Sequence, residues 1–136
     1  MDNDMRYFID SNYSYYMNKY EDMRMSGKKA SWNWSAFIFS GYWALYRKMY
    51  VAGFLMMAIN YVISFIPVFG DLLSLVFWIL VGAYGNRLYL EYVENNLANI
   101  RSLDSYEKEK AFKRKGGTNI IVPIVVLILL GIFLPV

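Results

Sequence analysis

Apolar and polar positions along the chain alternate between two regimes, long runs with hardly a polar residue and shorter stretches with helical periodicity. Three runs are nearly continuous in apolar side chains: Met49 to Ile66, Leu72 to Leu90, and Asn119 to Val136. Each approaches the roughly 17 to 25 residues that a helix needs to cross a bilayer. The last contains IIVPIVVLILLGIFLP, which has no charge on any face and no polar stripe to offer water. The alternative, buried helices of a water-soluble all-α domain, fits that run least well.

The remaining segments show helical periodicity with a polar side. Tyr13, Tyr16, Met17, Tyr20 and Met23 recur at helical spacing, while Asn18, Lys19, Glu21, Asp22 and Arg24 take the opposite side. This predicts an amphipathic helix over about residues 12 to 25, with Asp10, Ser11 or Asn12 available as its N-cap. Its tyrosine and methionine face is expected to pack on the rest of the protein or on head groups, a separate partner being the alternative. After Leu90, Val93, Leu97 and Ile100 keep the spacing, so the second apolar helix continues or restarts, with Asn95, Asn96 and Asn99 toward water. A short helix from about Ser105 to Lys115 follows a cap at Asp104 or Ser105. Its Glu107 and Glu109 come early and Lys113, Arg114 and Lys115 late, which suits the helix dipole. Gly116-Gly117 supplies a stop, Thr118 or Asn119 a cap for the last run, and Pro123 falls in opening turns where a missing amide costs least.

WNWSAFIFSGYWALYRKMY, Trp32 to Tyr50, holds eight aromatic residues in nineteen. Thirteen residues from Trp34 to Tyr46 make a helix of roughly 20 Å, shorter than a hydrocarbon core of about 30 Å. A continuous helix into the next run would draw Arg47 and Lys48 to the bilayer centre, at about 2.5 to 3.5 kcal/mol each. The chain is therefore expected to bend near Arg47, with Asn33 as N-cap and Gly41 as a break. Trp32, Trp34, Tyr42, Trp43 and Tyr46 then read as membrane-interface residues of an interfacial or re-entrant helix, with Arg47 and Lys48 at the phosphates.

Charge adds an orientation. All 14 Lys and Arg lie before the first run, at the end of the second, or before the third, and the connection Pro67-Val68-Phe69-Gly70-Asp71 has none. Cytoplasmic loops collect positive charge, so the N-terminus is expected in the cytosol, that connection outside, and the C-terminus at the outer face. The net charge of +3 reads as topology and contact with anionic head groups. Nucleic acid is not an expected partner, because the aromatics adjoin apolar runs and no basic groove is evident. The polar start of the chain has no signal-peptide pattern, so the spans are expected to direct insertion.

Composition narrows the chemistry. At 136 residues the chain makes at most one compact domain, and 57% apolar and 19% aromatic content exceeds that of a usual soluble domain. Cysteine and histidine are both absent, which removes most zinc and haem sites, Cys-His and Ser-His catalysis, and a histidine switch. No catalytic residue, cofactor or metal is expected. Inside the runs, Asn60, Gly82, Gly85 and Asn86 are candidate helix-packing residues. The glycines permit close approach, and Asn60 can hydrogen-bond across the first two spans. Asp71 is expected to cap the second.

At SWNWSAFIFSGYWALYRKMY (Ser31 to Tyr50), GAYGNRLYL (Gly82 to Leu90) and KRKGGT (Lys113 to Thr118), the chain resembles DUF2628, a family of small bacterial membrane proteins of unknown function. The family often has Gly-Pro where this chain has Gly41-Tyr42. The resemblance implies a bacterial inner-membrane protein with cytosolic elements, and brings no activity or catalytic residue.

The expected architecture is an all-α integral membrane protein with three transmembrane helices, an interfacial or re-entrant aromatic helix before the first, and short cytosolic helices. Its parts are a cytosolic amphipathic helix and linker (1–30), the interfacial element (31–48), a transmembrane hairpin (49–90), a basic cytosolic segment (91–118) and a terminal span (119–136). Two function classes fit it. One is a structural or interaction subunit that displays cytosolic helices, with a membrane-protein partner or a second copy. The other is an oligomeric pore or membrane-perturbing protein, holin-like or toxin-like, which lacks a polar stripe to line a channel.

Overall fold

The computed structural model describes residues 3–134, and these form eight helices with no strand among them. They are α1 (Asn3–Ile9), α2 (Tyr13–Ser26), α3 (Trp34–Phe39), α4 (Gly41–Tyr46), α5 (Tyr50–Ser64), α6 (Gly70–Arg101), α7 (Ser105–Lys115) and α8 (Ile121–Phe133). The expected all-α class holds. The expected three spans do not all appear as full-length helices. Among the described residues only α6, with 32 residues, is long and apolar enough to cross a membrane, while α5 has 15 residues and α8 has 13. The apolar runs are longer than the helices because their ends enter turns: α5 stops before Phe65-Ile66-Pro67, and α8 starts only after Asn119 caps it. Pro135 and Val136, the end of the third expected span, lie outside the described residues, as do the first two residues of the expected cytosolic segment.

The second run and the cytosolic periodicity after it are one helix. Along α6, Val81, Gly82, Gly85, Asn86, Tyr89, Leu90, Val93, Leu97 and Ile100 are buried at three- and four-residue spacing. That stripe collects the other helices around it. α1 brings Met5, Phe8 and Ile9; α2 brings Tyr16 and Met17; α7 brings Ala111 and Phe112. Phe8 and Phe112 pack edge-on at 6.3 Å. The expected face of α2 thus packs on the protein itself, with Tyr13, Tyr20 and Met23 at the margin of the same core. α1 has no counterpart in the sequence reading, although Met5, Phe8 and Ile9 carry its spacing.

Several helix ends follow the residues that were expected to set them. Asn33 accepts the Ala36 amide at 2.9 Å, and Asp104 accepts the Glu107 amide at 2.9 Å. The Asn119 side chain accepts the Ile121 amide at 3.0 Å. Others differ. Asn12 precedes α2 in a left-handed conformation with no side-chain cap, and Asp71 sits in the first turn of α6 without capping it, because the helix already begins at Gly70. After α7 the left-handed residue is Gly117, at φ 70°, while Gly116 is extended. The break in the aromatic stretch falls at Ser40, φ 44°, so the single expected helix is two, α3 and α4. Gly41 serves the break differently: a Cβ there would stand 2.7 Å from the Gly53 carbonyl, so the residue lets α4 press against α5.

The far end of the molecule is of another kind. α5, the first three turns of α6 and nearly all of α8 present apolar side chains outward, including Phe54, Leu55, Phe65, Leu72, Leu127 and Phe133. α8 leans on α4 at its base. Between residues 49 and 86 the only charged residue is Asp71, and between 119 and 136 there is none.

Candidate functional site

The aromatic stretch lies where the packed bundle meets the apolar end. Its position is fixed by backbone contacts with α6: the Ser31 amide donates to the Ala83 carbonyl at 2.8 Å, and the Asn33 amide to the Gly82 carbonyl at 2.8 Å. So close an approach needs small residues on α6. A Cβ at Gly82 would fall 2.8 Å from the Phe37 Cβ, and one at Gly85 would fall 2.7 Å from the Ala36 Cβ. The two glycines, expected to pack helices, face Phe37 and Ala36 of α3, the Trp32 loop and the Trp43 ring.

Asn86 is fully buried at the centre of this contact. Its Oδ1 accepts from the Asn33 side-chain amide at 2.8 Å, and its own amide lies 3.1 Å from both the Tyr15 hydroxyl and the Trp32 carbonyl. Asn33 is used on both sides, since its Oδ1 caps α3. A buried amide with donors and acceptors engaged is stable in place and costly to disturb. Its partners lie 53 and 71 residues away in sequence, so nothing near Asn86 in the chain identifies them. Asn60 joins α5 to α6, its Oδ1 accepting from the Trp78 Nε1 at 3.2 Å.

The largest correction concerns Arg47, which is only 2% exposed. The expectation that it reaches bilayer phosphates assumed that a cation here must be solvated. Instead Nη1 donates to the Ser11 carbonyl at 2.9 Å, with the Ile9 carbonyl at 3.5 Å. The guanidinium carbon stands 4.7 Å from the centre of the Tyr16 ring, 5.1 Å from Tyr89 and 5.7 Å from Tyr46. Ring faces attract a cation and guanidinium is weakly hydrated, so such a cage offsets part of the desolvation. It does not supply a counter-ion. No carboxylate lies within 4 Å of Arg47 among the described residues, and its Nε is buried without a hydrogen-bond partner. Burial raises the Tyr16 hydroxyl above its ordinary pKa of 10, against the opposing pull of the Arg47 charge.

Lys48 also turns inward. Its φ of 61° ends α4 sharply, and its Nζ donates to the Lys113 carbonyl at 3.0 Å, tying α7 to the bend. The Tyr92 hydroxyl lies 3.1 Å from the Lys48 carbonyl and 3.2 Å from the Lys115 carbonyl, and burial pushes its pKa up to about 12. Of the other interface candidates, Trp43 is buried in the core, Trp32, Tyr42 and Tyr46 are half-buried, and Trp34 is exposed. Trp32 and Trp34 meet edge to face at 5.3 Å.

Between α2, α3, α4 and the base of α8 lies a groove of about 530 Å³. Trp34, Phe39, Tyr42 and Pro123 give it apolar walls, Asn12 and Ser35 polar ones, and Arg47 lies at its buried side. No group of three or more His, Cys, Asp or Glu residues among those described could hold a metal ion. The groove sets the Arg47 cation beside apolar surface.

No protein-family model, curated protein or solved structure matches the chain, so the DUF2628 resemblance has no support beyond the motifs that suggested it.

Proposed function

We propose that the chain is a small structural or interaction subunit of a bacterial inner (cytoplasmic) membrane, with its apolar end in the bilayer and its helical bundle displayed in the cytosol. The observation that carries this reading is the surface of α5, α8 and residues 70–80 of α6, where apolar side chains point outward with Asp71 as the one charge. A soluble protein's core helix is mostly buried, whereas the apolar window of α6 is 28% buried. The cationic residues of α2 and α7 and the bend at Lys48 lie on the bundle, which suits a cytosolic location. Anionic head groups then meet the bundle's rim, and a membrane protein or a second copy is the partner class.

The apolar helices are short for the task. α5 and α8 are roughly 22 and 20 Å long by helical rise, against a hydrocarbon core of about 30 Å. The turn at Phe65 to Phe69 is itself apolar, so the tip sits at the outer interface of a thinned bilayer or within its hydrocarbon. An oligomeric pore would need a polar stripe on an outward face, and Asn60, the polar residue available on α5, is already bonded to Trp78.

Because the chain has no cysteine, single cysteines report topology directly. Val68→Cys, at a position 91% exposed, and Lys110→Cys, on the exposed side of α7, are placed in otherwise native chains. Lys110→Cys should react with an impermeant thiol reagent only from the cytosolic side. Val68→Cys should react from outside, or from neither side if the tip stays in hydrocarbon. Labelling of Val68→Cys from the cytosolic side, or release of the protein by alkaline extraction, would sink the reading.

A further inference from the structure

We propose that the groove between α2, α3, α4 and the base of α8 is a binding site for one anionic phospholipid, whose phosphodiester is held by Arg47. The membrane reading above supplies the source of that lipid. Three observations carry the assignment. First, Arg47 is a permanent charge taken out of water with no carboxylate beside it among the described residues. Such a group strongly favours an incoming anion, and a planar guanidinium suits phosphate oxygens. Second, the groove has both kinds of wall that an amphiphile needs. Asn12 and Ser35 supply polar atoms near the cation, while Phe39, Tyr42, Ile120 and Pro123 offer apolar surface for the start of an acyl chain. Third, its place in the fold suits a lipid. Ile120 and Pro123 belong to the point where α8 leaves the bundle, and the Asn119 amide is bonded to the Tyr46 carbonyl at 2.8 Å beside it. A lipid lying there would have its head against the bundle and its chains along the apolar end.

The binding is noncovalent and needs no co-reactant. A phosphodiester accepts hydrogen bonds from the guanidinium and neutralises its charge. A bound lipid would also join α3 and α4 to α8, which otherwise meets the bundle through its first turns.

The test uses the full chain purified in a neutral detergent, with native mass spectrometry counting retained lipid and melting followed in parallel. Phosphatidylglycerol and phosphatidylcholine of equal chain length are the probes, with inorganic phosphate as competitor. The expected result is one phosphatidylglycerol per chain, retained about tenfold better than phosphatidylcholine, because the quaternary ammonium of choline neutralises the same phosphodiester and brings a second cation toward the buried guanidinium. Inorganic phosphate at equal concentration should leave retention unchanged, because it lacks the chains. Arg47→Gln should lower retention about tenfold. Since that variant removes a buried group, Ser35→Trp gives an independent reading: Ser35 is exposed on the groove wall, so the ring fills the groove while the melting temperature in lipid-free detergent stays unchanged. Equal retention of both lipids, competition by inorganic phosphate, or a Ser35→Trp chain that melts normally and keeps its lipid would each overturn the proposal. Alkaline extraction of the same chains keeps the two readings apart. Loss of lipid from chains that stay in the membrane counts against the groove alone, whereas lipid kept by a chain that alkali releases counts against the membrane reading alone.

Discussion

The two halves of α6 are one continuous helix with opposite fates. From Val81 to Ile100 a buried position recurs every third or fourth residue, and α1, α2, α3, α4 and α7 share that stripe. From Asp71 to Leu80 no residue is buried; Ser74 and Phe77 are half-covered where α5 runs alongside, and the rest face outward. The first half therefore holds little of the fold's packing, and the second holds most of it. Burial of an apolar side chain contributes about 1.5 to 3 kcal/mol, so the stability of the chain in water-like surroundings resides at the bundle end. The apolar end gains its stabilisation only from a medium that is itself apolar.

That contrast is broken most severely at the bundle end. Gly85→Leu should abolish the packed bundle, since even a Cβ would meet the Ala36 Cβ at 2.7 Å and the buried Trp43 ring at 3.4 Å. Asn86→Ala should lower stability by about 2 to 4 kcal/mol, through the lost contacts and the buried Asn33 amide left unpaired. Both are read as the melting temperature in detergent, and a melting curve like that of the native chain would remove Asn86 from the centre of the fold. At the apolar end the same measurement should hardly move while a different one does. Leu127→Arg puts a cation on an outward face of α8, so the bundle should melt normally, whereas insertion loses about 2.5 to 3.5 kcal/mol and membrane recovery falls. Unchanged recovery would mean that α8 does not sit in hydrocarbon.

The sequence reveals the two ends unequally. Local features were legible: the Asn33, Asp104 and Asn119 caps act through amides two or three residues away, and the Val93, Leu97 and Ile100 stripe is a matter of period. Arg47 was not legible. Its acceptors lie 36 and 38 residues upstream and its aromatic cage spans Tyr16 to Tyr89, so nothing beside it in the chain distinguishes a caged cation from a solvated one. The rule that a charge must reach water fails where carbonyls and ring faces replace it. The split of the aromatic stretch at Ser40 was hidden for a similar reason, because the close contact of Gly41 with Gly53 that accompanies it is tertiary. Helix ends in the apolar runs were misplaced since composition does not change where α5 and α8 stop.

A smaller effect separates the halves by pH. Tyr16 and Tyr92 both have hydroxyls whose burial raises their pKa, Tyr92 to about 12 from the ordinary 10. The folded state then keeps protons that the unfolded state loses, so stability is fully present below about pH 10 and falls as the pH climbs toward 12. Tyr92→Phe should flatten part of that alkaline loss while weakening the tie between Lys48 and Lys115 at neutral pH. An alkaline melting profile identical in the two chains would show that the Tyr92 hydroxyl is not enclosed. The apolar end carries no comparable group, so membrane retention should be flat over the same interval.

The smallest effect is expected at Gly131, and it sharpens the comparison because the residue type is that of Gly85. A Cβ at Gly131 meets nothing within 4 Å, so Gly131→Ala places a methyl in open surroundings on α8. Within a helix interior, alanine is favoured over glycine by about 1 kcal/mol in water, and no packing contact among the described residues opposes it here. The bundle should melt as before, and membrane recovery should be equal or slightly higher. A fall in recovery, or a change in the mass of the detergent-solubilised particle, would mean that the small surface at Gly131 is covered by another helix. Since α8 of the same chain is open there, that helix would come from a second copy or another membrane protein, and the apolar end would then be an interface as well as an anchor.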